Sequence, residues 1–373
     1  MRVSSLLIGL EYTFWFVLIL TTVVFIHELG HYLLARLNGV HVEVFSIGFG
    51  KEICGFNDYK GTRWKLSMIP LGGYVKMCGD SDPTSTPDLL KLKNLSALDR
   101  QQALHYKSLW RKATIVFAGP AFNFISAMAI IATMFYMFGK PVSSLVIGTV
   151  LEASAAQEGG VIPGDKIIKV NGSKIDDFES IRQNVALNVG TPINLLIERG
   201  AQQIELSITP KLQTTKDVYG NKIEVPILGI TSNEMIIKRF TVMQSLGESV
   251  HEIYNISTGM LRALGQIATG KRSIKQLGGP VKIAQYSGQS AKYGLYSVMC
   301  FIALISINLG LVNLLPIPML DGGHLMYYAV EAITGKPVAE KFQMLATKIS
   351  FTVLVGFMVI VTYNDILNLI TSK

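Results

Sequence analysis

The chain has 373 residues, 49% of them hydrophobic and 16% charged, and carries a formal net charge of +8. That balance is too apolar and too charge-poor for an average soluble protein. The cationic excess is read as membrane topology, so no nucleic acid is expected as a partner. The three cysteines, Cys54, Cys78 and Cys300, offer neither a Cys-x-x-Cys metal pattern nor a disulfide framework.

Four uncharged stretches follow in chain order: Tyr12–Ile26, Ala113–Gly139, Tyr293–Leu320 and Ile349–Asn364. Spanning a bilayer takes about 20 mostly apolar residues. The first stretch reaches that length when the HELGH residues after it are counted, and Lys348 can snorkel at the edge of the last. The expected fold class is a polytopic α-helical membrane protein with about four transmembrane helices, at 1–38, 113–139, 293–320 and 349–370. Glu11 interrupts the first apolar region and no small-residue cleavage site follows, so a removable signal peptide is not expected. Arg36, Lys107, Arg111 and Lys112 cluster between the first two helices, whereas the N-terminal side has only Arg2. The positive-inside rule then puts 39–112 in the cytoplasm and both termini outside. Lys341 and Lys348, in a second cytoplasmic connection at 321–348, agree.

Between the helices lie two other regions. Residues 42–77 read as strands: Trp64, Leu66 and Met68 alternate with Lys65 and Ser67, and Gly72-Gly73 marks a turn or bulge. A polar loop and a short amphipathic helix fill 80–110. Residues 141–213 read as a small β-rich domain with one helix at "FESIRQNVAL" and a hairpin turn at Asn171-Gly172. Its element order and Pro-Gly-Asp phrase resemble a PDZ domain in the permuted arrangement of bacterial proteases. Such a domain binds an extended peptide at a sheet edge, so a peptide or regulatory ligand is expected there. A β-rich spacer without ligand is the alternative. Residues 214–292 read as a linker and amphipathic helices, one near 243–268, suited to the membrane surface.

The chemistry concentrates in His27-Glu28-Leu29-Gly30-His31. On a helix, positions i and i+4 share a face, so both imidazoles reach one metal ion. Zinc lowers the pKa of bound water to about 7, and Glu28 stands beside it as general base. On a soluble helix these residues could be a solvated face. A Glu at membrane depth costs about 3 kcal/mol on insertion scales, which favours a metal partner. A third ligand is needed. Asp321 is the better candidate, since it follows the proline-broken run "SINLGLVNLLPIPML". An Asp that caps the following helix is the other reading. Asn123, in "AGPAFNF", either bonds across helices or holds a substrate carbonyl.

Together, His-Glu-x-x-His, "FSIGFGK", "IPLGGYVKM", "AGPAFNF" and "NLLPIPMLDGGH" resemble, in order and over nearly the whole chain, the site-2 protease family of intramembrane zinc metalloproteases (peptidase family M50). The likeness is to its bacterial branch, the regulator of sigma-E protease type. The resemblance implies one zinc ion per chain on His27, His31 and Asp321, with Glu28 as catalytic base. It implies substrate positioning by Asn308, Asn313, Pro316 and Pro318, with Asn123 a further substrate-binding candidate. It also implies a membrane-associated β-region at 42–77 that handles unwound substrate. Implied clients are single-pass membrane proteins, such as trimmed anti-sigma factors, or remnant signal peptides. The implied location is the bacterial inner membrane, with the PDZ-like domain outside and the active site toward the cytoplasm. Some members carry two PDZ domains, whereas one copy is read here. Two other classes are an inactive peptide-binding scaffold and a metal transporter with the His and Asp residues on an ion path. The complete His-Glu-His-Asp set disfavours the first. Four spans without an inverted repeat disfavour the second.

Overall fold

The computed structural model describes residues 2–80, 94–175, 178–187, 190–216, 222–232, 234–270 and 278–371. Most of the polar loop expected within 80–110 lies outside these residues. The chain divides into two compact units: Met1–Thr133 with Leu246–Lys373, and Met134–Ser245.

The first unit opens with helix α1 (Arg2–Leu37), strands β1 (Val42–Asn57) and β2 (Arg63–Met77), a short helix α2 (Ala97–Gln102) and α3 (Leu109–Phe138), which continues into the second unit. The two strands form a compact sheet because each pairs twice. Residues 44–47 of β1 face 73–76 of β2 on one side and 63–66 on the other, while 54–57 pair with the far side of 63–66. Segment 73–77 is left at an edge of the pairings. Phe45 and Trp64 stack at 4.2 Å between ring centroids, and Tyr32 of α1 meets Trp64 at 4.9 Å. These rings join buried Val42, Val75, Met77 and Ile115 in one apolar cluster. The cluster fixes the sheet against α1 and α3.

The second unit contains β3 (Lys140–Ser143), β4 (Thr149–Val150), α4 (Ala155–Glu158), β5 (Lys166–Val170), β6 (Ser173–Lys174), α5 (Phe178–Leu187), β7 (Ile193–Arg199), β8 (Gln202–Ile208), β9 (Lys211–Lys216), β10 (Lys222–Ile227), β11 (Ile230–Thr231) and β12 (Met235–Lys238). A four-stranded sheet in the order β6-β5-β7-β8 covers a core of Ile147, Ile167, Ile181, Leu195 and Ile197. Asn171 and Gly172, with φ of 49° and 78°, form the expected hairpin turn between β5 and β6. The unit extends past 213: β11 returns to pair with β4, and β12 with β3. Part of the expected linker therefore belongs to this fold.

Helices α6 (Val242–Ala268), α7 (Pro280–Lys292), α8 (Leu295–Asn313), α9 (Asp321–Thr334) and α10 (Glu340–Thr371) complete the chain. Among the described residues, four helices are long and apolar enough to cross a membrane: Gly9–Leu37, Leu109–Phe138, Leu295–Asn313 and Lys341–Leu367. Their boundaries correct the sequence reading. The second helix starts at Leu109 rather than 113, since Arg111 and Lys112 can lay their stems along an apolar face. The third ends at Asn313 rather than 320. Pro316 and Pro318 lack N–H donors and bias the preceding residues away from helical backbone. Residues 321–348, the expected connection, contain α9 and the start of α10. The fourth helix accordingly begins at Glu340. Asp365 in α10 accepts from the backbone N–H of Gly279 and Lys282, so it caps α7.

Candidate metal centre

The site forms where α1, α3, α8 and α9 meet. His27 and His31 are one turn apart on α1 and both are buried. Asp321 is the first residue of α9, with Leu320 as its N-cap, so the carboxylate is not the cap of that helix. The close entry of residues 314–318 against α9 depends on Gly322 and Gly323. A Cβ on Gly322 would collide with the carbonyls of Leu314 and Leu315, and one on Gly323 would lie 2.6 Å from Pro318 Cα.

Three ligand side chains converge. His27 Nε2 lies 3.3 Å from His31 Nε2 and 3.2 Å from Asp321 Oδ2, and His31 Nε2 lies 3.5 Å from Asp321 Oδ1. Ligands at about 2.0–2.1 Å around a tetrahedral ion stand roughly 3.3 Å apart, so the spacing fits zinc. Asp321 Oδ2 is buried and makes no hydrogen bond, which is what a ligand oxygen lacking its ion would show. Among the described residues this is the one such His/Cys/Asp/Glu group.

The surrounding atoms orient the rings. His31 Nδ1 is 2.9 Å from the Ile115 carbonyl, so that nitrogen carries the proton and Nε2 keeps its lone pair. His27 Nδ1 is 3.1 Å from the side-chain amide nitrogen of Asn123, a residue 0% exposed, whose Oδ1 has no partner. Of the two readings for Asn123, the contact across helices is present. Asn313 Nδ2 approaches His27 Nε2 at 3.3 Å. Asn308 and Pro316 are exposed. Pro318 is half-buried in the loop before Asp321. Of the other histidines, His105 pairs with Asp80 at 3.0 Å rather than joining the site.

Sequence reasoning missed Gly119. A Cβ there would collide with His31 Nε2 and come within 2.8 Å of His27 Cε1. The signal was a small residue before Pro120 on the helix facing HELGH. It also missed how closely the sheet approaches Glu28. That residue is 8% exposed, and a Cβ on Gly73 would lie 3.0 Å from its Cγ.

The model of peptidase family M50 matches residues 15–357. A protein of Agrobacterium fabrum, named as a putative zinc metalloprotease, is 43% identical over 359 residues, 95% of each chain. A similarly named protein of Rhizobium meliloti is 41% identical over 368 residues, 97% of this chain and 98% of its own. The metalloprotease MmpA of Caulobacter vibrioides is 33% identical over 371 residues, 93% of each. The solved PDZ domain of an SdrC-like protein from Listeria innocua aligns with 26% of this chain and 96% of its own, at 25% identity and a TM-score of 0.19, which carries no argument about fold. On the family match and the full-length relatives, the chain belongs to peptidase family M50.

Proposed function

We propose that this protein is a zinc-dependent intramembrane endopeptidase of the site-2 protease type. Its substrates would be peptide bonds within or beside the transmembrane segment of single-pass membrane proteins. The observation that carries the reading is the convergence of His27, His31 and Asp321 next to Glu28, with both histidines on a helix apolar enough to span a bilayer. Relatives named as zinc metalloproteases support zinc over other metals.

Zinc would be held by His27 Nε2, His31 Nε2 and the Asp321 carboxylate, and when bound it supplies Lewis acidity that polarises a carbonyl and acidifies water. The protein's own groups do the rest. A ligating His27 Nε2 requires the ring proton on Nδ1, and the acceptor within reach is the Asn123 amide oxygen, once the amide turns over. Glu28 takes a proton from the attacking water at its carboxylate and returns it to the leaving amine nitrogen. A helical peptide bond must first unwind, and helix-weak residues in the client lower that cost. Segment 73–77, at a sheet edge beside Glu28, offers unpaired backbone groups to which an extended client can add as a strand. Asn313, close to His27, is suited to holding a client carbonyl. Asn308, Pro316 and Pro318 are carried by the family motif alone.

In this reading, 39–112 faces the bacterial cytoplasm and the PDZ-like unit lies outside the inner membrane, where a peptide ligand would regulate access. Clients would be anti-sigma factors already cut outside, or remnant signal peptides. The test is cleavage of a tagged single-pass substrate in membranes by the native chain and by Glu28→Gln. Cleavage by the native chain alone, with equal zinc in both, is expected. Equal cleavage by Glu28→Gln would overturn the role of Glu28.

A further inference from the structure

Two open cavities adjoin where α1 ends and α3 begins. One, of about 620 Å³, is lined by Lys107, Ser108, Arg111 and Tyr106, and the other, of about 260 Å³, by Arg36, His41 and Lys60. Gly39 and Gln102 belong to both, and no carboxylate lines either. Nearby Lys112 is paired with Glu331. By contrast, Arg36, Lys60, Lys107 and Arg111 make no ion pair among the described residues. Burial, and then the Arg111 cation, push the Lys107 pKa down. Among the described residues, several cations thus share a recess whose lining holds no carboxylate.

The depth of the recess narrows what would supply that charge. Arg36 is in the last turn of α1, and Arg111 is in the first turn of α3, so the cavities lie at the ends of two membrane spans. Trp110 and Tyr106 are 78% and 51% exposed there, as expected of aromatic side chains at a membrane–water boundary. Leu37 and Phe117, 80% and 49% exposed, are apolar residues on the same two helices. The free N–H groups of the first turn of α3 add positive potential beside Ser108.

We infer that the paired cavities seat the phosphate headgroup of an anionic phospholipid, with its acyl chains along α1 and α3. A basic pocket between spans is the usual form of such a site. Lys107 and Arg111 would contact the phosphate from the α3 side, and Arg36 and Lys60 from the other. A seated lipid would tie together the ends of the helices that carry the histidines and Gly119.

The test is native mass spectrometry of the purified full chain in mild detergent, with phosphatidylglycerol or phosphatidylcholine added. Preferential retention of one phosphatidylglycerol is expected. The double variant K107Q/R111Q should weaken it about 30-fold, roughly fivefold for each cation removed near the surface. K341Q/K348Q, which removes cations at another helix end, should leave it unchanged. Zinc content equal to the native chain's certifies that the variants are folded. Equal retention of both lipids, or retention indifferent to K107Q/R111Q, would overturn the proposal. Loss of the lipid to millimolar inorganic phosphate would instead assign the recess to a soluble phosphate.

Discussion

Replacing Asn123 with leucine keeps the side chain's size but removes the acceptor that a zinc-bound His27 requires for its Nδ1 proton. Leaving a buried donor unpaired costs about 1–3 kcal/mol. Asn123 is 0% exposed, so water does not replace the lost partner and the upper part of that range applies. Zinc binding should therefore weaken by roughly 30- to 150-fold, at about 1.4 kcal/mol per tenfold. Asn123→Asp retains an acceptor and loses the donors, so its zinc affinity should stay within about tenfold of native. The assay is competition with a chromophoric chelator on the purified full chain, read without any substrate. Native affinity in Asn123→Leu would refute the reasoning. So would an Asn123→Asp variant as weak as the leucine one, because it would show that the amide's donor, not its oxygen, matters.

Other outcomes follow from the same geometry. Gly119→Ala drives a methyl into His31 Nε2, and should weaken zinc binding by at least roughly tenfold in the same competition assay. Gly73→Val presses on Val24 Cγ1 and Glu28 Cγ, so cleavage should fall by about 100-fold while zinc content is unchanged. At the turn between β1 and β2, burial works against the Asp58 charge, but bonds from Thr62 N–H, Trp64 Nε1–H, Tyr32 O–H and Lys60 N–H hold its pKa at about 2. Its folded pKa lies below the unfolded value of 3.8, so its contribution is complete above that value and is lost as pH falls through about 2. Tryptophan fluorescence across that acid range should change in the native chain and flatten in Asp58→Asn.

The features legible in the sequence are those with local signals. HELGH declares a metal face because its spacing equals a helical turn, and the four spans declare themselves by length. Asp321 was legible as a candidate through the prolines before it, and the structure brings it to the two histidines. What stayed hidden depends on distant partners. Strands β11 and β12 are two and four residues long, too short to carry a periodic pattern, and they pair with segments 80 to 98 positions earlier. The doubled pairing within 42–77 likewise rests on register across the sheet rather than on alternation. Gly119 looked like an ordinary small residue in an apolar helix until the histidine rings were placed against it. Asn308, grouped with Asn313 by motif, proves exposed because five residues of helix turn it to another side.

The central claim is one zinc ion on two imidazoles and a carboxylate. Its most direct test is zinc-edge X-ray absorption on the purified full-length protein, with metal content measured in His27→Ala and Asp321→Ala. The account predicts about one zinc per chain, nitrogen and oxygen ligands at about 2.0–2.2 Å, and loss of the metal in both variants. Sulfur in the first coordination shell, or full zinc retention by either variant, would contradict it.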